Sequence, residues 1–124
     1  MNNVITGIQE FRLKLYPQDI NRSRDFYENF LGLKVVREWD RGSDDQGVMF
    51  LVGTTILELL SPESEYRKLQ GFGLSLEVQD AINLWGKMKD SSTVIFELRH
   101  NAWGDTSFCI SDPEGVDITF FTRD

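Results

Sequence analysis

The sequence predicts an α+β domain in which one order of elements, strand–helix–strand–strand–strand, occurs twice. Three observations carry that reading. Alternating apolar and polar residues mark a strand at 11–16 and again at 73–78. Each is followed by a short polar cap and an amphipathic stretch, through 23–31 and through 82–88. Three more strand-like runs follow each helix, at a spacing of roughly sixty residues between the halves, which is the mark of an internal duplication.

In the first half, Phe11, Leu13 and Leu15 alternate with Arg12, Lys14 and Tyr16, the period of a half-buried strand. Pro17-Gln18-Asp19 ends it. Asp19 or Asn21 can cap the helix that follows, because a short side-chain oxygen there accepts from a free backbone N–H. Within the helix, Phe26, Phe30 and Leu31 share one face, Tyr27 flanks them, and Gly32 is a stop. Strands are expected at 33–39, 48–52 and 56–60, separated by the polar loop 40–45 and the tight turn Gly53-Thr54. Ser61-Pro62-Glu63-Ser64-Glu65 reads as a linker, and 66–70 as irregular chain or a short helical turn.

The second half repeats the order. A strand at 73–78 leads to Asp80, which precedes a helix carrying Ile82, Leu84, Trp85 and Met88. Strands follow at 94–98, 106–110 and 116–121, with a loop at 100–104 and the strong turn signal Asp112-Pro113-Glu114-Gly115. The fragments Pro17-Gln18-Asp19-Ile20 and Val78-Gln79-Asp80-Ala81 mark equivalent places in the two halves. One domain therefore spans 1–124, with a first module over about 8–60, a linker over about 61–71 and a second module over about 72–122.

Composition narrows the classes of partner. A chain of 124 residues, 40% hydrophobic, supports one substantial core. Its nine Phe, three Trp and three Tyr contribute about 2–3 kcal/mol each when fully buried. A net charge of -7 repels phosphate backbones, so nucleic acid is excluded as a partner, and it keeps the protein soluble. Cys109 is the single cysteine, so no intrachain disulfide forms and a reducing, cytoplasmic location is expected. The start of the chain does not read as a secretion signal, and no apolar run approaches the ~20 residues of a membrane span.

The stretch Asp19-Ile20-Asn21-Arg22-Ser23-Arg24-Asp25-Phe26-Tyr27 with Leu31-Gly32-Leu33 resembles the first-helix signature of the vicinal-oxygen-chelate superfamily, the glyoxalase, bleomycin-resistance and dioxygenase family. Ala102-Trp103-Gly104 and Asp112-Pro113-Glu114-Gly115 resemble its second-half landmarks. The resemblance implies two βαβββ modules forming a curled, half-open mixed sheet, with helices on the convex side and a ligand in the concave cup. It also implies a homodimer. With the strand period, Leu13, Leu15, Leu57, Leu59, Leu74, Leu76, Ile118 and Phe120 then face the helices. Arg12, Lys14, Ile56, Glu58, Leu60, Gly73, Ser75, Glu77, Asp117, Thr119 and Phe121 face the cup.

The resemblance further implies a divalent metal held from the first and last strands of each module, here Arg12, Glu58, Gly73 and Thr119. Of these, Glu58 is the only retained candidate ligand. Arg12 is permanently cationic and has no lone pair, Gly73 offers no side chain, and Thr119 is a weak neutral donor. His100, the single histidine, falls in a loop. No metal cofactor is therefore expected, and an Arg12–Glu58 ion pair is expected in its place.

Arg12, Lys14, Trp39, Glu58, Ser75, Trp103, Asp117, Thr119 and Phe121 are the candidate pocket residues. Trp39, Trp103 and Phe121 offer stacking walls for a planar ligand, whereas Phe50 and Trp85 read as core. Glu58, Asp117, Glu10 and Glu77 suit a cationic or polyhydroxylated ligand, with Glu10 and Glu77 assigned to a solvated rim. Arg12 and Lys14 suit an anionic one, so the sign of the ligand stays open. Cys109 reads as an inert strand residue, and Ser75 and Thr119 have no evident base. The functional expectation is a metal-independent small-molecule binding protein in a drug-sequestering role. The alternatives are a lyase or dioxygenase-like enzyme with a degenerate site, and a ligand-free regulatory or interaction domain whose cup is filled by side chains.

Overall fold

The structure is a computed structural model that describes residues 4–61 and 70–124. The linker expected after Ser61 and the segment 66–69 lie outside the described residues. The chain divides into two compact units, Met1–Arg67 and Lys68–Asp124, and each is a βαβββ module.

Module 1 runs β1 Arg12–Leu15, α1 Ile20–Asp25, a π-helical turn Phe26–Phe30, then β2 Lys34–Asp40, β3 Gln46–Val52 and β4 Thr55–Leu60. Its sheet has the order β1-β4-β3-β2, with β1 parallel to β4 and the other pairs antiparallel. Of the two possible caps, Asp19 is used, its side chain accepting from the Arg22 N–H at 3.1 Å.

The helix face differs from the sequence reading. Tyr27, expected to flank the apolar stripe, is its buried centre at 1% exposure, while Phe26 and Phe30 stack on each other at 5.4 Å half-buried. Ser23 and Tyr27, four residues apart and each 1% exposed, share the inward face, and Tyr27 packs against Phe50, 6.1 Å away. The turn that follows is π-helical, with the Leu31 N–H bonded to the Phe26 carbonyl at 2.9 Å, five residues back. Gly32 ends the helix at φ +75°, a left-handed conformation that suits glycine. Behind the helix, Leu13, Leu57 and Phe50 form one row across three strands, and Leu15, Leu59 and Val48 the next. All but Leu13 are buried, as the alternating pattern requires.

Module 2 runs β5 Gly73–Glu77, α2 Ala81–Met88, β6 Thr93–Asn101, β7 Asp105–Ser111 and β8 Asp117–Arg123, in the sheet order β5-β8-β7-β6. The strand order thus repeats that of module 1. Asp80 caps α2 by accepting from the Asn83 N–H at 3.0 Å. The helix-facing core is built on Leu74, Ile118 and Ile110, and on Leu76, Phe120 and Phe108. Phe108 lies 5.2 Å from Phe120 and 5.2 Å from Trp85 of α2. The Asp112 turn is closed by that side chain, which accepts from the N–H groups of Glu114 and Val116 at 2.8 Å.

One boundary is corrected. His100 and Asn101, expected in a loop, belong to β6 and pair with Thr106 and Asp105. Asn101 is buried, and its amide donates to Asp105 Oδ1 at 2.7 Å and Ser107 Oγ at 2.9 Å, which ties the hairpin closed.

Candidate functional site

Residues directly opposite each other on paired strands share a face. The registers therefore define the strand face turned away from the helix in each module. In module 2 its rows are Gly73–Asp117–Ser111–Thr93, Ser75–Thr119–Cys109–Phe96 and Glu77–Phe121–Ser107–Arg99.

The first two of these rows border a cavity of about 790 Å³ lined by Gly73, Ser75, Thr119, Cys109, Phe96 and Asp117, together with residues 70–72, Leu74, Ile95 and Gly115. The volume falls within the range of small-molecule sites, about 300–1,000 Å³. Gly73 keeps one end open, because a β-carbon there would come 3.2 Å from the Asp117 carbonyl oxygen. Among the described residues Asp117 is the one charged residue of the lining. Cys109 is 2% exposed, and burial pushes its thiol up, against a smaller opposing effect from the Thr119 hydroxyl. A thiol held protonated in this way is a weak nucleophile at neutral pH. The 3.8 Å approach of the Arg99 guanidinium to the Phe96 ring orients that wall.

Three of the sequence candidates, Ser75, Asp117 and Thr119, thus come together on this cavity. Phe121 lies one row away, half-buried between Glu77 and Ser107, and outside the lining. Trp103 lies at the β6–β7 hairpin, 74% exposed, with its indole N–H donating to Asp105 Oδ2 at 3.0 Å, and it too is outside the lining. Sequence reasoning missed Cys109 and Phe96 as pocket residues. The signal available was the alternation Ser107, Cys109, Ser111 in β7. Phe96 carried no such signal, because β6 changes register between Val94 and Phe96 and again before Arg99.

In module 1 the corresponding rows are Arg12–Ile56–Leu51–Lys34, Lys14–Glu58–Met49–Arg37, and Leu60–Gly47–Trp39. Matched by position, Arg12 corresponds to Gly73, Lys14 to Ser75, Glu58 to Thr119 and Met49 to Cys109. Glu58 is 5% exposed and its Oε1 has no hydrogen-bond partner among the described residues. Arg12 Nη1 lies 4.0 Å from that oxygen, a long ion pair. The close partner of Arg12 is Glu10, which accepts from its Nε. Glu10, read from sequence as a solvated rim residue, therefore shares the guanidinium with Glu58.

Trp39 lies over Gly47, with the guanidinium of Arg37 5.6 Å and that of Arg41 6.0 Å from its ring. Arg41 beside Asp45 holds that carboxyl below the usual carboxylate range, with the Trp39 indole adding to the effect. A β-carbon at Gly47 would fall 2.1 Å from the indole. Gly47→Ala should accordingly cost about 1–3 kcal/mol in urea denaturation. A cost near zero would show that the indole does not rest on Gly47.

The positions at which metal-dependent relatives hold an ion were tested against this geometry. In module 1, Glu58 is accompanied by a fixed cation. In module 2, Gly73 contributes no donor and Thr119 only a hydroxyl. Among the described residues no group of three His, Cys, Asp or Glu side chains could hold a metal ion. The donor set does not fit a divalent ion.

The fold is shared with solved structures. A glyoxalase/bleomycin resistance protein/dioxygenase superfamily member from Sphaerobacter thermophilus is similar at 21% identity, TM-score 0.78, covering 94% of this chain and 98% of that one. TioX from Micromonospora sp. ML1 is similar at 15% identity, TM-score 0.75, covering 94% and 99%. Lactoylglutathione lyase from Agrobacterium tumefaciens is similar at 20% identity, TM-score 0.69, covering 94% and 95%. No curated protein matches the chain. Residues 8–120 match the sequence pattern of the Glyoxalase/Bleomycin resistance protein/Dioxygenase superfamily, and the chain belongs to that family.

Proposed function

We propose that the chain is a metal-independent small-molecule binding protein of this family, with its ligand in the module 2 cavity. The observation that carries the reading is the cavity of about 790 Å³ floored by Ser75, Thr119, Cys109 and Phe96 from four adjacent strands. These side chains offer two hydroxyls, a protonated thiol and an aromatic face to an occupant. Among the described residues Asp117 is the one charged member of the lining, which favours an uncharged or cationic occupant over an anionic one. Metal independence rests on the donor set described above.

An enzymatic reading has less support. Among the described residues the cavity lining contains no histidine, glutamate or lysine, and its thiol is held protonated. An open cavity of this size also speaks against a domain whose ligand space is filled by its own side chains. The proposal includes a cytoplasmic homodimer with no nucleic-acid or membrane partner. The acidic charge argues against a nucleic-acid partner, the single buried free cysteine fits a reducing compartment, the homodimer follows from the family resemblance alone, and no helix among the described residues is long and apolar enough to cross a membrane.

Elemental analysis of the purified protein should find far less than stoichiometric zinc, nickel, iron or manganese. A thermal-shift screen of uncharged and cationic small molecules, bleomycin-like drugs included, should yield ligands that stabilise by about 2–3 kcal/mol at a hundredfold excess over Kd. Stoichiometric metal would overturn metal independence. Stabilisation by anions alone would overturn the cavity assignment.

A further inference from the structure

The module 2 cavity is polar at one edge and apolar at the other. The polar edge lies on β5 and β8, where Asp117 and Thr119 stand two residues apart on β8 and Ser75 pairs with Thr119 from β5. Strand geometry places Asp117 and Thr119 about 7 Å apart, with Ser75 about 5 Å to their side. Asp117 and Ser75 are exposed and Thr119 is half-buried, so all three are within reach of an occupant. Asp117 makes no ion pair among the described residues, which leaves its carboxylate free to accept. The apolar edge lies on β6, two strands from β8. There the irregular pairing after Val94 brings the consecutive residues Ile95 and Phe96 into the lining together.

Opposite charges act on the space between these edges. Asp117 supplies a negative one at the polar edge. Arg99, outside the lining, supplies a positive one at the apolar edge, its guanidinium 3.8 Å from the Phe96 ring centroid. Both fields reach the floor, where Asp117 raises the pKa of the Cys109 thiol and Arg99 lowers it. An aromatic ring that already holds a guanidinium gains little from a second cation. A cation is therefore attracted at Asp117 and repelled near Phe96, an anion meets the reverse, and an uncharged occupant meets neither penalty. Asp117 asks for donors, and Ser75 and Thr119 pair with groups that both donate and accept. Neighbouring hydroxyls on one ring supply both.

We infer that the occupant is an uncharged glycoside, its hydroxylated ring over Asp117, Thr119 and Ser75 and its apolar aglycone against Phe96 and Ile95. The inference rests on the module 2 cavity being the ligand site.

The test titrates the full chain, labelled with nitrogen-15, with phenyl glucoside, phenyl galactoside and phenyl mannoside. The controls are the matching methyl glycosides, which lack the aromatic aglycone, 2-phenoxytetrahydropyran, which lacks the hydroxyls, and phenethylamine, which offers Asp117 a charged donor. The best phenyl glycoside should shift the amides of Ser75, Phe96 and Thr119. It should bind about tenfold or more tightly than 2-phenoxytetrahydropyran, the scale of one charge-assisted hydrogen bond, and more tightly than its methyl glycoside or phenethylamine. Asp117→Ala, at an exposed position that leaves the fold intact, should weaken the glycosides about tenfold and spare 2-phenoxytetrahydropyran. Phe96→Leu should erase the preference for phenyl over methyl glycosides. Shifts at these amides with equal affinity for the phenyl glycosides and 2-phenoxytetrahydropyran would overturn the inference and leave the cavity assignment standing. So would a tighter phenethylamine, or undiminished glycoside binding in Asp117→Ala. Failure of every probe to move Ser75, Phe96 and Thr119 would overturn the inference and count against the cavity as well.

Discussion

Ser75→Trp should abolish binding in the module 2 cavity while leaving the fold intact. Ser75 is exposed on the edge strand β5 and heads the row Ser75–Thr119–Cys109–Phe96, so an indole there projects over the cavity floor. An exposed substitution of this kind changes stability by within about 0.5 kcal/mol. A ligand that stabilises the wild type by about 2–3 kcal/mol at a hundredfold excess over Kd should then stabilise the variant by close to nothing. Glu77→Trp is the control. Glu77 is exposed on the same strand, one row further along and outside the lining, and its variant should retain the ligand response. Equal thermal shifts in Ser75→Trp and wild type would place the ligand elsewhere.

Phe108→Ala should destabilise module 2 by about 3–5 kcal/mol in urea denaturation. The side chain is fully buried on the helix face of β7, with Phe120 and Trp85 each 5.2 Å from its ring. Both rings lose their partner, and neither can close the void without moving α2 or β8 off the sheet. Set against a typical domain stability of about 5–15 kcal/mol, the loss is a large fraction. A cost below about 1 kcal/mol would mean that this trio is not the core of the module.

Much of this arrangement was legible from residues. The Asp19 cap, the Gly32 stop and the alternation Leu13, Leu15 and Leu57, Leu59 fix which face of the module 1 sheet meets its helix. They do so through local chemistry that a sequence displays directly. The same alternation identified Ser75, Asp117 and Thr119 as neighbours. What stayed hidden depends on registers and on hydrogen bonds between residues distant in sequence. Phe96 reaches the row of Cys109 only through the irregular pairing of β6. Tyr27 shares its inward face with Ser23, a polar residue that marks no apolar stripe. The sign of the ligand was undecidable from sequence because cations and carboxylates were read as one set. The registers separate them, with Arg12, Lys14 and Glu58 on module 1 and Asp117 on module 2.

The account stands or falls on binding in the module 2 cavity without a metal. The most direct measurement is a fragment screen by amide chemical shifts on protein stripped with a chelator. The account predicts that uncharged and cationic fragments shift the amides of Ser75, Phe96, Cys109 and Thr119, and that added zinc changes neither the hits nor their affinities. Shifts that arise only after zinc is added would contradict it, as would hits that leave these four amides unmoved.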